Sequence, residues 1–199
     1  MENEIKMDNA IEVNNAINME YELNEIGKIV AQHGYHKPIP VGEGSFSKVY
    51  RVTDSGGSFW ACRVSEATRQ WQQECENWQE IRHPLFPGYR EHWTEGAKGF
   101  LIMEFWDGMD LRKMLERRGR LTPGHAVWIA DRIAEGMQYL HERQHPFLYR
   151  DLKPENIRIR VNGRVGILDL GCLWNREEKW SGAGNYSYSA PEQFRQGEI

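Results

Sequence analysis

The stretch that most constrains this 199-residue chain runs from Thr122 to Gly171. It opens with "TPGHAVWIADRIAEGMQYLHER", which predicts a helix. Thr122 suits the N-cap and Pro123 the first helical position, while Val127, Ile129, Ile133, Met137 and Leu140 recur roughly at helical spacing. It closes with "ENIRIRVNGRVGILDL", which predicts a hairpin turned by Asn162-Gly163. Between them lies "YRDLKPEN", Tyr149 to Asn156, which puts Asp151, Lys153 and Asn156 on one short loop. A carboxylate there can orient a hydroxyl or accept its proton. A lysine can neutralise a phosphoryl group, and an amide oxygen can ligate Mg²⁺.

The rest of the chain sets bounds on this reading. With 40% hydrophobic residues and 8 Trp it can bury a real core, as one domain or two lobes. A net charge of −4 gives no support to nucleic-acid binding. The 3 cysteines, Cys62, Cys75 and Cys172, lack C-x-x-C spacing and are odd in number, so a reducing, cytoplasmic compartment is expected. The acidic, Asn-rich start lacks the order of a signal peptide, and no apolar run approaches the ~20 residues of a membrane helix. The histidines show no metal-ligand spacing and read as surface or core residues.

Residues 1 to about 20 are polar and read as disordered or weakly helical. A short helix is expected over "YELNEIGKIVAQ", with Ile26, Ile29 and Val30 on one face. From Pro38, three short β-rich runs broken by Gly42 to Ser47 and by "DSGG" read as an antiparallel meander. "EATRQWQQECENWQEIR" reads as a helix stopped by "HPLFPG". Two strands around a Gly turn follow, then the helix "DLRKMLERRG". The sum is an α+β layout: a small sheet with one helix, then a mostly helical part.

Three more motifs carry chemistry. "GEGSFSKV", Gly42 to Val49, is a glycine loop between strands whose backbone N–H groups can approach phosphates. It does not suit a dinucleotide fingerprint, because a strand rather than a helix follows. "ILDLG" ends an apolar strand in Asp169 and Gly171, and "SAPEQF" spans Ser189 to Phe194. These motifs, in this order with "YRDLKPEN", resemble the signature set of the eukaryotic-like protein kinases of Ser/Thr type, in the bacterial style.

The resemblance covers residues 38–199 and implies a bilobal fold with ATP and Mg²⁺ as cofactors and a Ser/Thr-bearing protein as substrate. It divides the chain into a polar extension with a short helix (1–37), an N-lobe and hinge (38–106), and a partial C-lobe through the activation segment (107–199). Gly42, Gly44, Ser45, Phe46 and Val49 match the glycine-rich loop, with Ser47 in place of the third glycine. Ala61 and Arg63 match the "A-x-K" strand, and Glu74 the acid of the N-lobe helix. Met103 matches the gatekeeper, Glu104 to Trp106 the hinge that receives adenine, and Asp110 a ribose contact. Asp151 matches the catalytic base, and Lys153 the lysine of Ser/Thr-type members. Asn156 and Asp169 match the metal ligands. Trp78, Tyr89, Tyr149 and Leu170 fall on the hydrophobic spine. Arg150 implies control by a phosphate on the activation segment, for which Ser181 is placed.

Several positions depart from the pattern. Arg63 stands where the family places its ATP-orienting lysine; it keeps the charge but is longer, planar and forked, and such a change impairs kinases. Arg158 stands where the family puts an apolar residue beneath adenine, a cost unless it turns outward or finds a partner. Asn185 replaces a threonine that bonds the catalytic aspartate and lysine. The chain ends at Ile199, just after "APE", so Val127 to Leu140 are expected to lack cover, which a partner completing the C-lobe would supply. Two functions are thus in contention: a Ser/Thr protein kinase, and a pseudokinase or regulatory binding module. A small-molecule kinase of related fold fits "KPEN" and "APE" poorly.

Overall fold

The computed structural model describes residues 2–44, 46–175 and 182–194, with side chains from residue 17 onward. Ser45 and Ser181 lie outside the described residues. The chain forms two compact units. The first comprises Met1–Glu66 and Trp93–Ile102, the second Ala67–His92 and Met103–Ile199.

The first unit begins with a helix, α1, over Glu2–Gln32. Of the two alternatives expected for residues 1 to about 20, disordered or weakly helical, this is the helical one, and the short helix expected over residues 21–32 is its continuation. Its second half packs on a sheet: Ile26 and Val30 are buried with Tyr35, Tyr50, Val52, Cys62, Val64, Phe100 and Ile102, and Leu23 and Ile29 pack against them. Polar contacts flank this core. Lys48 Nζ donates to Glu22 at 2.5 Å, the Tyr50 hydroxyl donates to the other Glu22 oxygen at 2.8 Å, and Lys98 donates to Glu25 at 2.9 Å.

The sheet contains β1 (Tyr35–Glu43), β2 (Ser47–Asp54), β3 (Phe59–Glu66), β4 (Tyr89–Glu95) and β5 (Lys98–Glu104), in the order β1-β2-β3-β5-β4. The first three pair antiparallel, as the meander predicts. Their register decides what each face carries. Tyr50 lies opposite Cys62, and both belong to the core shared with α1. The alternate residues therefore share the other face: Val49 lies opposite Arg63, and Arg51 opposite Ala61.

The second unit holds α2 (Arg69–Glu80), capped by Thr68, whose hydroxyl accepts from Trp71 N at 3.1 Å. Next come β6 (Met109–Asp110), α3 (Leu111–Arg118) and α4 (Pro123–His141). Thr122 caps α4 and Pro123 opens it, as expected. After β7 (Phe147–Leu148), a 3₁₀ turn at Pro154–Asn156 leads into β8 (Ile157–Ile159) and β9 (Val165–Ile167). The turn between them has Gly163 at φ +80°, which glycine adopts without strain. β10 (Trp174–Asn175) pairs with β7, and β6, β8 and β9 make a second small sheet. A Cβ on Gly136 would lie 2.6 Å from Ile167 Cδ1, so glycine there lets α4 approach β9. On α4, Ile129 and Leu140 are buried, whereas Val127 and Trp128 are exposed.

Candidate active site

The "YRDLKPEN" loop leaves β7 through a strained backbone. Arg150 has φ +63°, and Asp169 on the strand-end "DLG" has φ +57°. Such left-handed non-glycine residues cost about 1–3 kcal/mol each and persist only where surrounding contacts hold them. Those contacts are identifiable. Arg150 Nε donates to the Cys172 carbonyl at 2.7 Å, and its own carbonyl accepts from Gln193 Nε2 at 2.8 Å. Leu168 N donates to the Asn156 carbonyl at 2.7 Å, and the Tyr149 hydroxyl donates to the Leu168 carbonyl. The two strained residues are thereby tied to one loop.

Inside that loop the side chains converge on Asp151, which is buried. Lys153 Nζ donates to Asp151 Oδ2 at 2.7 Å. Asn156 Nδ2 donates to the same oxygen at 3.0 Å and to the Asp151 carbonyl at 2.9 Å. With its amide protons spent on Asp151, Asn156 retains Oδ1 as an acceptor. Burial works against the charge on Lys153, but the bond to Asp151 and the charges of Asp151 and Asp169 hold the ammonium above the ordinary lysine range. Burial pushes the Cys172 thiol up to about 11, with Asp151 and Asp169 adding to the effect, so it is protonated near neutral pH. Tyr149 is raised far above the usual phenol range by burial first and by the same two carboxylates second. Asp169 is exposed, and Gly171 N donates to its Oδ1 at 3.1 Å.

The segment between β5 and α3 is gripped by the β8–β9 hairpin. Met103 is buried and Glu104 N donates to the Gly88 carbonyl at 2.8 Å. The Arg160 guanidinium lies over the Trp106 ring, 4.8 Å from its centroid. Arg158 donates to the Trp106 carbonyl through Nε and Nη2. The half-buried cation has thus found a partner. Asp110 caps α3, its carboxylate accepting from Lys113 N at 2.8 Å and pairing with Lys113 Nζ at 3.3 Å.

The amino-acid pattern of the protein kinase domain matches residues 35–199. The chain belongs to that family. Among curated relatives, this kinase domain is 31% identical over 173 residues to the serine/threonine-protein kinase VIK of Arabidopsis thaliana, covering 78% of this chain and 39% of that protein. It is 28% identical over 186 residues to a probable serine/threonine-protein kinase, PknB, of Lactococcus lactis, covering 86% and 29%. It is 31% identical over 164 residues to the cAMP-dependent protein kinase catalytic subunit PRKX of Mus musculus, covering 76% and 45%. The chain thus spans between about a third and a half of the length of these relatives.

The expected site residues of the kinase domain divide between the units. Gly42, Gly44, Phe46, Val49, Ala61 and Arg63 belong to the first. There Gly42 pairs with Val49 across the hairpin and Gly44 N donates to the Ser47 carbonyl at 2.8 Å, while Phe46 stands 91% exposed at the loop. Glu74, Met103, Glu104, Trp106, Asp110, Asp151, Lys153, Asn156 and Asp169 belong to the second, with Glu74 buried on α2. Trp78, Tyr149 and Leu170 are also buried there.

Other groups at the site escaped the sequence reading. Gln193, two residues after Pro191, donates to both the Arg150 and Ala183 carbonyls, and its Oε1 accepts from Ala190 N at 3.1 Å. Arg112 donates to Glu155 at 2.8 Å and also to the Tyr188 hydroxyl. The Gln193–Arg150, Arg112–Glu155 and Arg112–Tyr188 partners are tens of residues apart, and no local pattern announces them. Asn185 spends its Oδ1 on Ser187 N at 2.9 Å, a turn contact.

Proposed function

We propose that this kinase domain transfers the γ-phosphoryl group of Mg-ATP to a serine or threonine hydroxyl of a protein substrate. The observation that carries the reading is the convergence of Lys153 and Asn156 on the buried Asp151. Asp151 is the group that orients the substrate hydroxyl and receives its proton. Lys153 holds that carboxylate in place and puts a positive charge where phosphoryl oxygens gather. Asn156 fixes the Asp151 rotamer and offers Oδ1, and Asp169 offers a carboxylate at the end of a short strand segment. One amide oxygen and one carboxylate suit Mg²⁺, which is ordinarily held by one or two carboxylates together with substrate phosphates. Bound Mg-ATP supplies the transferable group and the metal's charge.

The glycine loop, Val49, Ala61 and Arg63, with Met103, Glu104, Trp106 and Asp110, are the groups assigned to the nucleotide. The division at residues 37 and 106, the cytoplasmic setting and a partner covering the exposed Val127 and Trp128 belong to the same reading. Among the described residues, no helix is long and apolar enough to cross a membrane.

A second reading, a pseudokinase or regulatory module, is favoured by Arg63 and Arg158. One pair of experiments separates the two. Incubation with Mg-ATP and a Ser/Thr peptide library is expected to give phosphate transfer that Asp151→Asn abolishes. Saturating Mg-ATP, about a hundredfold above Kd, is expected to stabilise the chain by roughly 2.7 kcal/mol in a thermal melt. A stabilised chain without Asp151-dependent transfer would establish the second reading.

A further inference from the structure

The α3 helix and its end, "LRKMLERRGR", carry five cations and one carboxylate in a chain whose net charge is −4. Lys113, Arg117, Arg118 and Arg120 are exposed. Lys113 pairs with Asp110, while Arg117 and Arg118 lie in the last turn, where cations also favour the helix dipole. Such basic C-terminal turns are common, so charge alone would not distinguish this helix. Its placement does: α3 packs directly on the Pro154–Asn156 turn of the catalytic loop. Glu155, the carboxylate of this turn, is bound by Arg112 at 2.8 Å. Arg112 also holds Tyr188, on the segment leading to "APE". The exposed surface of α3 is therefore cationic, and the carboxylate of the turn it packs on is paired.

We infer that α3 is a docking surface for an acidic segment of the protein substrate, which presents its serine or threonine to the neighbouring loop. This rests on the kinase reading for the reaction but not for the binding. The occupant follows from charge. An acidic segment finds the exposed guanidinium groups at the end of α3, whereas a basic segment meets like charge there. Attraction of this kind speeds encounter and weakens as salt screens it.

The test uses fluorescein-labelled peptides with one central serine, flanked by Asp/Glu, by Lys/Arg or by neutral residues. Fluorescence anisotropy reads binding to the whole chain, and phosphate transfer is followed in parallel. The acidic peptide is expected to bind about tenfold or more tighter than the basic one. Raising salt should erode that preference. Arg117→Glu with Arg118→Glu should abolish or invert it, and Arg120→Glu, beyond the helix end, should weaken it without burdening the helix. Equal binding of the three peptides, or an unchanged preference in both variants, overturns the proposal. So does wild-type self-association lost in the double variant, which would make a second copy's acidic N-terminal segment the occupant. Acidic preference without turnover would sink the kinase reading alone, and turnover without preference the docking surface alone.

Discussion

Arg158 donates to the carbonyl oxygen of Trp106 through Nε at 3.3 Å and Nη2 at 3.2 Å, and faces Asp110 across the β6–β8 ladder. Burial lowers its basicity, while the charges of Asp110 and Asp107 work the other way. The family resemblance puts an apolar residue here, beneath adenine. Arg158→Leu should leave the Trp106 carbonyl without this donor, at about 1–3 kcal/mol. The melting midpoint should fall by about 2–12 °C. Apolar surface in place of a half-desolvated cation should also tighten Mg-ATP binding about fivefold. Calorimetric titration of both proteins checks this; weaker nucleotide binding by the leucine variant would mean that Arg158 is a working part of the site.

Asn156 is the second anchor of Asp151. Asn156→Ala removes the bonds to its carbonyl and carboxylate and also deletes an oxygen assigned to the metal. Phosphate transfer should fall by about 10²-fold or more, in the range of other misplaced catalytic groups. The Mg²⁺ concentration for half-maximal rate should rise. An unchanged Mg²⁺ requirement at reduced rate would limit Asn156 to holding Asp151.

Gly166 supports the grip on Trp106. A Cβ there would lie 2.0 Å from Trp106 Cζ3, whereas one on Gly136 would meet the movable end of Ile167 at 2.6 Å. Gly166→Ala should cost at least about 2 kcal/mol, towards the upper part of the overpacking range. Gly136→Ala should cost less, because it regains helix propensity and faces a side chain that can turn. Urea unfolding of the two variants ranks them, and the reverse order would count against the tight seating of Trp106.

The parts of this fold that were legible in the sequence are those written in local chemistry. Thr122-Pro123 signalled the start of α4, Asn162-Gly163 the hairpin, and the spacing of Asp151, Lys153 and Asn156 their meeting in one loop. The N-terminal half of α1 was not legible, because the reading relied on apolar periodicity. Among the described side chains, Leu23, Ile26, Ile29 and Val30 form the apolar stripe that meets the sheet, and the sequence before them is polar and shows no such stripe. The partner of Arg158, the Gln193 contacts and the Arg112–Glu155 pair arise from tertiary approach. Sequence showed that Arg158 needed a partner, but not that a backbone carbonyl would provide it.

The Glu22–Lys48 contact makes the first unit sensitive to acid. The hydrogen bond from Lys48 is the chief cause of the lowered Glu22 pKa; burial opposes it and Tyr50 adds to it. A carboxylate lowered in the folded state contributes stability above its unfolded value, about 4.3, and loses it as pH falls through the folded value. At neutral pH, Glu22→Gln should cost about 0.5–1 kcal/mol, as partly exposed pairs do. Wild type and variant should converge in strong acid. Melts between pH 3 and pH 8 read the gap; a constant gap would show that the ionised carboxylate is not what stabilises α1 on the sheet.

Arg63 decides between the two functions. It lies opposite Val49 on the sheet face that also carries Ala61, and the family resemblance puts a lysine at this position. Its charge is the same, but the guanidinium is longer and flat, and a lysine ammonium is a compact point charge that approaches phosphate oxygens end-on. If the remaining machinery is competent, Arg63→Lys should raise phosphate transfer about tenfold or more, equivalent to about 1.4 kcal/mol of transition-state stabilisation. The gain should appear mainly in kcat, since either residue supplies charge to the bound ground state, and it should vanish in combination with Asp151→Asn. A wild-type chain that transfers phosphate at a rate the lysine does not improve would mean that this site works with arginine. No transfer from either protein, despite Mg-ATP binding, would make the domain a nucleotide-responsive module.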